Sequence, residues 1–202
     1  MRIVTFASAK GGVGKTTLAI GVAVAATQDG ESVYMIDTDP QRSVVSWASR
    51  RKAEAPAVDG ASPGVLFDAL EGLRRANYSL IIIDTQGADS GGTAAAMRVS
   101  DLVAVPVRPF AIDVVAVGPT RDAIDRLGKP YCIILNAVQP RVSSRVTDAT
   151  QAFGGRVAPS IVNRFAHADA VAAGLGVTEF EPDGLAAAEL RELWGFIKGR
   201  LQ

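Results

Sequence analysis

Short runs of valine, isoleucine and leucine recur along this chain of 202 residues and alternate with segments of helical periodicity. Ile3 to Ser8, Ser32 to Ile36, Leu80 to Ile83, Leu102 to Val105 and Tyr131 to Leu135 read as strands, with Arg156 to Pro159 a weaker sixth. They are nearly continuous in apolar residues instead of alternating, as expected of a parallel sheet covered on both faces. Helical patterns lie between them at Lys15 to Gln28, Ser43 to Lys52, Gly64 to Ala76, Thr93 to Ser100, Asp113 to Leu127 and Ser143 to Phe153. This alternation predicts a doubly wound α/β fold, a mostly parallel sheet flanked by helices, in a single domain over 1–202. Glu54 to Gly64, with two prolines and two glycines, reads as a loop. Pro119 is expected to kink the Asp113 to Leu127 helix or to mark its true start.

The first strand runs directly into Lys10-Gly11-Gly12-Val13-Gly14-Lys15-Thr16-Thr17. Glycines at 11, 12 and 14 let backbone N–H groups approach phosphate oxygens closely. Lys15 then reaches the β- and γ-phosphates as a point charge, and the Thr16 hydroxyl is placed to ligand Mg2+. The helix that begins here turns its positive end toward the same anion. The usual phosphate-loop pattern opens on glycine, whereas Ala9 stands here and Lys10 follows it. A lysine so early in the loop is poorly placed to fold back onto its own phosphates, so it is expected to be free for a nucleotide on a neighbouring subunit.

Ligands of an open α/β sheet sit beyond the carboxyl ends of the strands. Two strands end in aspartate there: one in Asp37-Thr38-Asp39-Pro40-Gln41, the other in Asp84-Thr85-Gln86-Gly87. A carboxylate at the end of a buried strand needs a cation or donors, and magnesium beside a triphosphate supplies the first. Asp84 is therefore expected to hold the metal through water, with Asp37 close by, and Asp39 to orient the attacking water. An Asx-type turn leading into Pro40 is the plainer role for Asp37 and Asp39.

With 21 basic and 21 acidic side chains, nothing in the global charge calls for a polyanion partner. The single cysteine, Cys132, lies in an apolar strand and reads as an inert thiol, and the single histidine, His167, cannot build a multi-histidine metal site. No apolar stretch is long enough to span a bilayer and the N-terminus has no signal-peptide layout, so a cytoplasmic location is expected. Leu190, Leu193, Trp194, Ile197 and Leu201 form one stripe near the C-terminus, better suited to core packing than to a membrane because its polar face mixes both signs.

On these motifs, the chain resembles the ParA/MinD family of deviant phosphate-loop ATPases, most closely the short ParA-type partition ATPases without an N-terminal helix-turn-helix domain. Supporting segments are Ser100-Asp101, Val105-Pro106-Val107-Arg108-Pro109, Asn136, Gly176-Val177-Thr178-Glu179-Phe180 and Ala186-Ala187-Ala188-Glu189-Leu190. The resemblance implies ATP/ADP and Mg2+ as cofactors and an ATP-dependent sandwich homodimer in which Lys10 crosses to the partner's phosphates. It also implies slow hydrolysis stimulated by a ParB-like or other adaptor, non-specific DNA binding on the nucleoid, and contact of Asn136 with adenine. Asp84-Thr85-Gln86-Gly87 departs from the family's usual sequence and is expected to tune the nucleotide response. For DNA the candidates are Arg141, Arg145, Arg156 and Arg164, against the single acid Asp148 in that stretch. A MinD-like membrane-surface ATPase is the alternative, although stable membrane binding is not expected. A nitrogenase-type reductase is disfavoured because one cysteine per chain cannot supply a cluster bridging two subunits.

Overall fold

The computed structural model describes residues 1–87, 91–140 and 143–202. Six strands form one sheet: β1 (Arg2–Phe6), β2 (Val33–Asp37), β3 (Ala57–Gly60), β4 (Leu80–Asp84), β5 (Leu102–Val107) and β6 (Tyr131–Leu135). Their order is β3-β2-β4-β1-β5-β6 and every neighbouring pair is parallel. The helices are α1 (Lys15–Gln28), α2 (Ser43–Ala48), α3 (Leu66–Arg75), α4 (Gly91–Val99), α5 (Ala111–Ala116), α6 (Gly118–Arg126), α7 (Ser143–Phe153), α8 (Phe165–Ala172), α9 (Val177–Phe180) and α10 (Leu185–Arg200).

Strand side chains alternate between the two faces, so continuous apolar strands feed two cores. Val4 and Phe6 of β1, Ile82 of β4 and Ile134 of β6 pack with α1 and α10 on one side. Ile3, Ile81 and Ile83 pack with α3 on the other, and Val103, Val105 and Ile133 with Ile124 and Phe153. The chain passes from β1 to β2 and out to β3 at the edge, returns with β4 between β2 and β1, and then crosses to β5 and β6 on the other side of β1. The crevice of such a sheet opens at the carboxyl end of the strand where direction reverses, here β1, which leads into the glycine loop.

Two sequence expectations change. Ala57–Gly60 is a strand, not a loop, paired at the sheet edge with β2 alone. Arg156 to Pro159 contributes only an isolated bridge, Ile133 with Val157, because the preceding Gly154–Arg156 turn and Pro159, which lacks an N–H, leave too little to extend. Pro119 sits in the first turn of α6, so it marks a helix start. The C-terminal stripe is committed to the core: Leu190, Leu193, Trp194 and Ile197 are buried, and the Trp194 indole N–H and Lys198 ammonium both donate to Asp29, at 2.8 and 2.6 Å. Cys132 is buried and its thiol is pushed up to about 12 by that burial, so it is inert at neutral pH. Among the described residues, no helix is long and apolar enough to cross a membrane.

Candidate functional site

Gly14 closes the glycine loop in the left-handed region, at φ +94°, and α1 begins at Lys15. The Asn136 amide, from the end of β6, donates to the Val13 carbonyl at 2.7 Å and lies where a side chain at Gly14 would go. From the end of β5, the Arg108 guanidinium donates to the Gly12 carbonyl. Gly11 and Gly12 are exposed, as a loop that meets a ligand through its backbone must be. Lys15 is buried, and burial pulls its pKa below the usual lysine value against the opposing charges of Asp84 and Asp39.

The acidic residues converge beneath the loop. Asp37 and Asp84 are register partners on adjacent strands and both are fully buried. Thr16 Oγ1 donates to Asp84 Oδ2 at 2.6 Å, while Asp84 Oδ1 is buried with no partner. Burial first, then the Asp37 carboxylate, push Asp84 up to about 7, although the Thr16 hydrogen bond and Lys15 oppose them. A hydroxyl that donates its proton keeps lone pairs for a cation, and an orphaned carboxylate oxygen beside it is a second oxygen donor. Thr16 and Asp84 therefore fit Mg2+, a hard cation that dehydrates reluctantly and takes one or two protein ligands beside phosphates.

Asp37 has another task. Its Oδ1 accepts the Asp39 N–H at 3.0 Å, and its Oδ2 accepts the N–H groups of Val44 and Val45 at 2.9 and 3.2 Å. These bonds hold the turn and the start of α2, while Asp37 stays beside Asp84 on the neighbouring strand. Burial still raises its pKa above the usual aspartate value, against those same N–H bonds. Asp39 is half-buried; its Oδ1 accepts the Gln41 N–H at 2.9 Å and its charge faces Lys15 and Asp84.

Lys10 departs most from expectation. Its ammonium is not free but ion-paired with Asp113 of its own chain, on α5. The reason is burial: the Asp113 side chain is 4 % exposed and needs a cation, and Lys10, 39 % exposed, supplies it from the loop rim. Sequence reasoning missed Asp113, although it is the only acid in the apolar run Phe110 to Val117. Gly87 closes the segment expected to tune the nucleotide response. A methyl group there would lie 2.8 Å from Gly11 Cα and 3.1 Å from Lys15 Nζ, so the divergent Asp84 to Gly87 segment abuts the phosphate loop. Gly87→Ala is expected to weaken nucleotide binding about tenfold or more while shifting the melting temperature little, as titration and thermal melts of the nucleotide-free protein will read.

Of the arginines proposed for DNA, the described Arg145, Arg156 and Arg164 do not gather into one patch. Arg145 lies over the Phe110 ring near the carboxyl ends of the strands, whereas Arg156 lies over Tyr131 at the opposite end of β6. Arg164 is paired with Glu189 of α10, and Arg141 lies outside the described residues. Among the described residues, no three His, Cys, Asp or Glu side chains form a metal cage.

The profile of the CobQ/CobB/MinD/ParA nucleotide binding domain matches residues 4–177. The chain is 31% identical over 197 residues to Maintenance of carboxysome distribution protein A of Gloeobacter kilaueensis, covering 93% of this chain and 89% of the relative. It is 29% identical over 155 residues to Protein ParA of Rhizobium radiobacter, covering 71% and 68%. In fold it is similar to the septum site-determining protein MinD complexed with Mg-ADP from Pyrococcus horikoshii OT3, with a TM-score of 0.79 over 97% of this chain and 95% of that one, at 19% identity.

Proposed function

Because this chain belongs to the CobQ/CobB/MinD/ParA family of nucleotide-binding domains, we propose that it is a ParA-like, Mg2+-dependent ATPase that positions cargo. In this reading ATP drives homodimer formation, the dimer binds DNA non-specifically on the nucleoid, and a ParB-like or other adaptor stimulates slow hydrolysis. The cargo is a plasmid, a chromosome or another cell structure. Support for positioning comes from the relatives named for carboxysome distribution and for ParA. The observation that carries the chemistry is the Thr16–Asp84 pair with its orphaned Oδ1, set beside buried Lys15 beneath the glycine loop.

The side chains divide the work. Backbone N–H groups of Gly11 to Thr17 cradle the phosphates at the positive end of α1, and Lys15 neutralises oxygens near the γ-phosphate. Thr16 and Asp84 would hold Mg2+, which when bound offsets charge on the β- and γ-phosphate oxygens. Asp39 orients the attacking water, held in place by its own turn. Lys10 serves the partner's nucleotide after leaving Asp113. A membrane-surface role, the alternative, draws nothing from α10, whose apolar stripe is buried in the core.

Light scattering should report a doubled mass with Mg-ATP but not with Mg-ADP, and Lys15→Ala should lose ATP binding by about 100-fold or more and stay monomeric. A Lys15→Ala protein that binds ATP and dimerises normally would overturn the site assignment. On a DNA column at low salt, the ATP form should be retained and then released steeply as salt rises. Equal retention of the ATP and ADP forms would sink the DNA clause alone.

A further inference from the structure

Arg42, which ends the turn carrying Asp39, holds a left-handed backbone at φ 53° and ψ 41°. That conformation crowds the Cβ of an L-residue against the following carbonyl, so glycine is the residue that adopts it without strain. An arginine keeps it only where the surroundings over-determine it. Here both its main chain and its side chain are held.

The Arg42 N–H donates to the Asp39 carbonyl at 2.9 Å, closing the turn over Pro40 and Gln41. Its carbonyl accepts the Ser46 N–H at 2.9 Å, in the first turn of α2. The half-buried side chain then reaches back across the turn. Nη1 donates to the Asp37 carbonyl at the end of β2 and, at 3.5 Å, to the Ala61 carbonyl just beyond β3. The guanidinium lies against Gly60 of β3, where a Cβ would come within 2.3 Å of Nη1. Its seat on the edge strand therefore depends on a residue without a side chain.

Asp39 is thus part of a loop tied at both ends. Its N–H donates to Asp37 Oδ1 at 3.0 Å and its Oδ1 accepts the Gln41 N–H at 2.9 Å, which are bonds within the turn itself. The Arg42 side chain is what joins that turn to the end of β2 and to β3.

We propose that Arg42 is a positioning residue for hydrolysis: clamping the turn between β2 and β3, it fixes the Asp39 carboxylate where it orients the attacking water. It acts through Asp39 and not on the nucleotide. This inference rests on the role given to Asp39 in the ATPase reading above.

Single-turnover release of phosphate from ATP, with protein in excess, tests it beside the Kd for ATP and the melting temperature. Arg42→Gly removes the guanidinium and relieves the backbone, so the nucleotide-free protein should melt within about 3 °C of wild type. Its hydrolysis rate should fall about tenfold or more, while the Kd for ATP stays within about twofold. Guanidinium chloride at millimolar concentration should restore part of that rate, and Arg42→Lys, which keeps a donor, should retain more of it than Arg42→Gly. Gly60→Ala displaces the guanidinium without altering Arg42, so it should also slow hydrolysis, and it decides the matter if Arg42→Gly does not fold. An unchanged rate, or a rate that falls only in step with ATP affinity, overturns the role of Arg42 and leaves nucleotide binding standing. A wild-type protein that binds ATP and releases no phosphate overturns the hydrolysis reading and this inference together.

Discussion

Asp84→Asn is expected to make the nucleotide-free protein more stable at pH 8 while removing the Mg2+ dependence of nucleotide binding. The carboxylate is fully buried beside Asp37, has one unpartnered oxygen and is pushed up to about 7. Its folded pKa therefore lies above the unfolded value of ~3.9. Between those values the native state holds the proton more firmly than the unfolded chain, so stability falls as pH rises through the window. Above pH 7 the full penalty applies, on the order of 2–4 kcal/mol after relaxation around a buried site. Asparagine removes the charge and still accepts the Thr16 hydroxyl, although Lys15 loses an attractive neighbour. The melting temperature should rise by about 4–12 °C at pH 8 and by little at pH 5, as melts at the two pH values will show. A variant less stable than wild type at pH 8 would mean that Lys15, not desolvation, dominates the balance. The charge that destabilises the empty protein is the one the metal needs.

The sheet and the phosphate loop were legible in the sequence because each depends on local pattern. Continuous Val, Ile and Leu runs can only be strands covered on both sides, and a glycine loop between strand and helix has few other uses. Ala57–Gly60 escaped because an edge strand needs little apolar character: it pairs with β2 alone, and Val58 is its one strong strand former. Arg156 to Pro159 misled because Val157 between arginine and alanine mimics a strand that Pro159 cannot continue. The site divided along the same line. Lys15, Thr16 and Asp84 follow from motif and strand end. Arg108 and Asp113 lie 93 and 98 positions beyond Lys15 and meet the loop only once the end of β5 and α5 are placed beside it. Asp37 shows the limit in the other direction, since an aspartate at a strand end reads alike whether it holds a metal or a turn. Its three backbone hydrogen bonds reveal the turn role, and two of them exist only once α2 is placed.

Removing Lys10 and removing Asp113 are expected to have unequal effects on the stability of the empty protein, although the two side chains form one ion pair. Lys10→Ala leaves the Asp113 carboxylate buried without a cation. A fully buried pair broken this way loses about 3–5 kcal/mol, and with Lys10 partly exposed about 1–3 kcal/mol is the fitting range. Asp113→Asn leaves an exposed-end lysine, which water solvates, and an amide that tolerates burial better, so its stability should change by less than about 1 kcal/mol. Association reverses the order. If Lys10 crosses to a partner's phosphates it must first leave Asp113, so the intrachain pair opposes the dimer. Asp113→Asn should then lower the ATP concentration at half-maximal dimerisation by about tenfold, since a competing contact of roughly 1.4 kcal/mol has gone. α5 carries this aspartate between Ile112 and Val115, which are 74% and 77% exposed, so the same helix offers apolar surface to a second copy. Combining the substitutions separates the two roles: Lys10→Ala with Asp113→Asn should regain the melting temperature lost by Lys10→Ala and still fail to dimerise with ATP. Melting curves and light scattering across an ATP titration read both quantities on the same four proteins. A double variant that dimerises as wild type does would remove Lys10 from the interface and leave Asp113 as a purely structural partner.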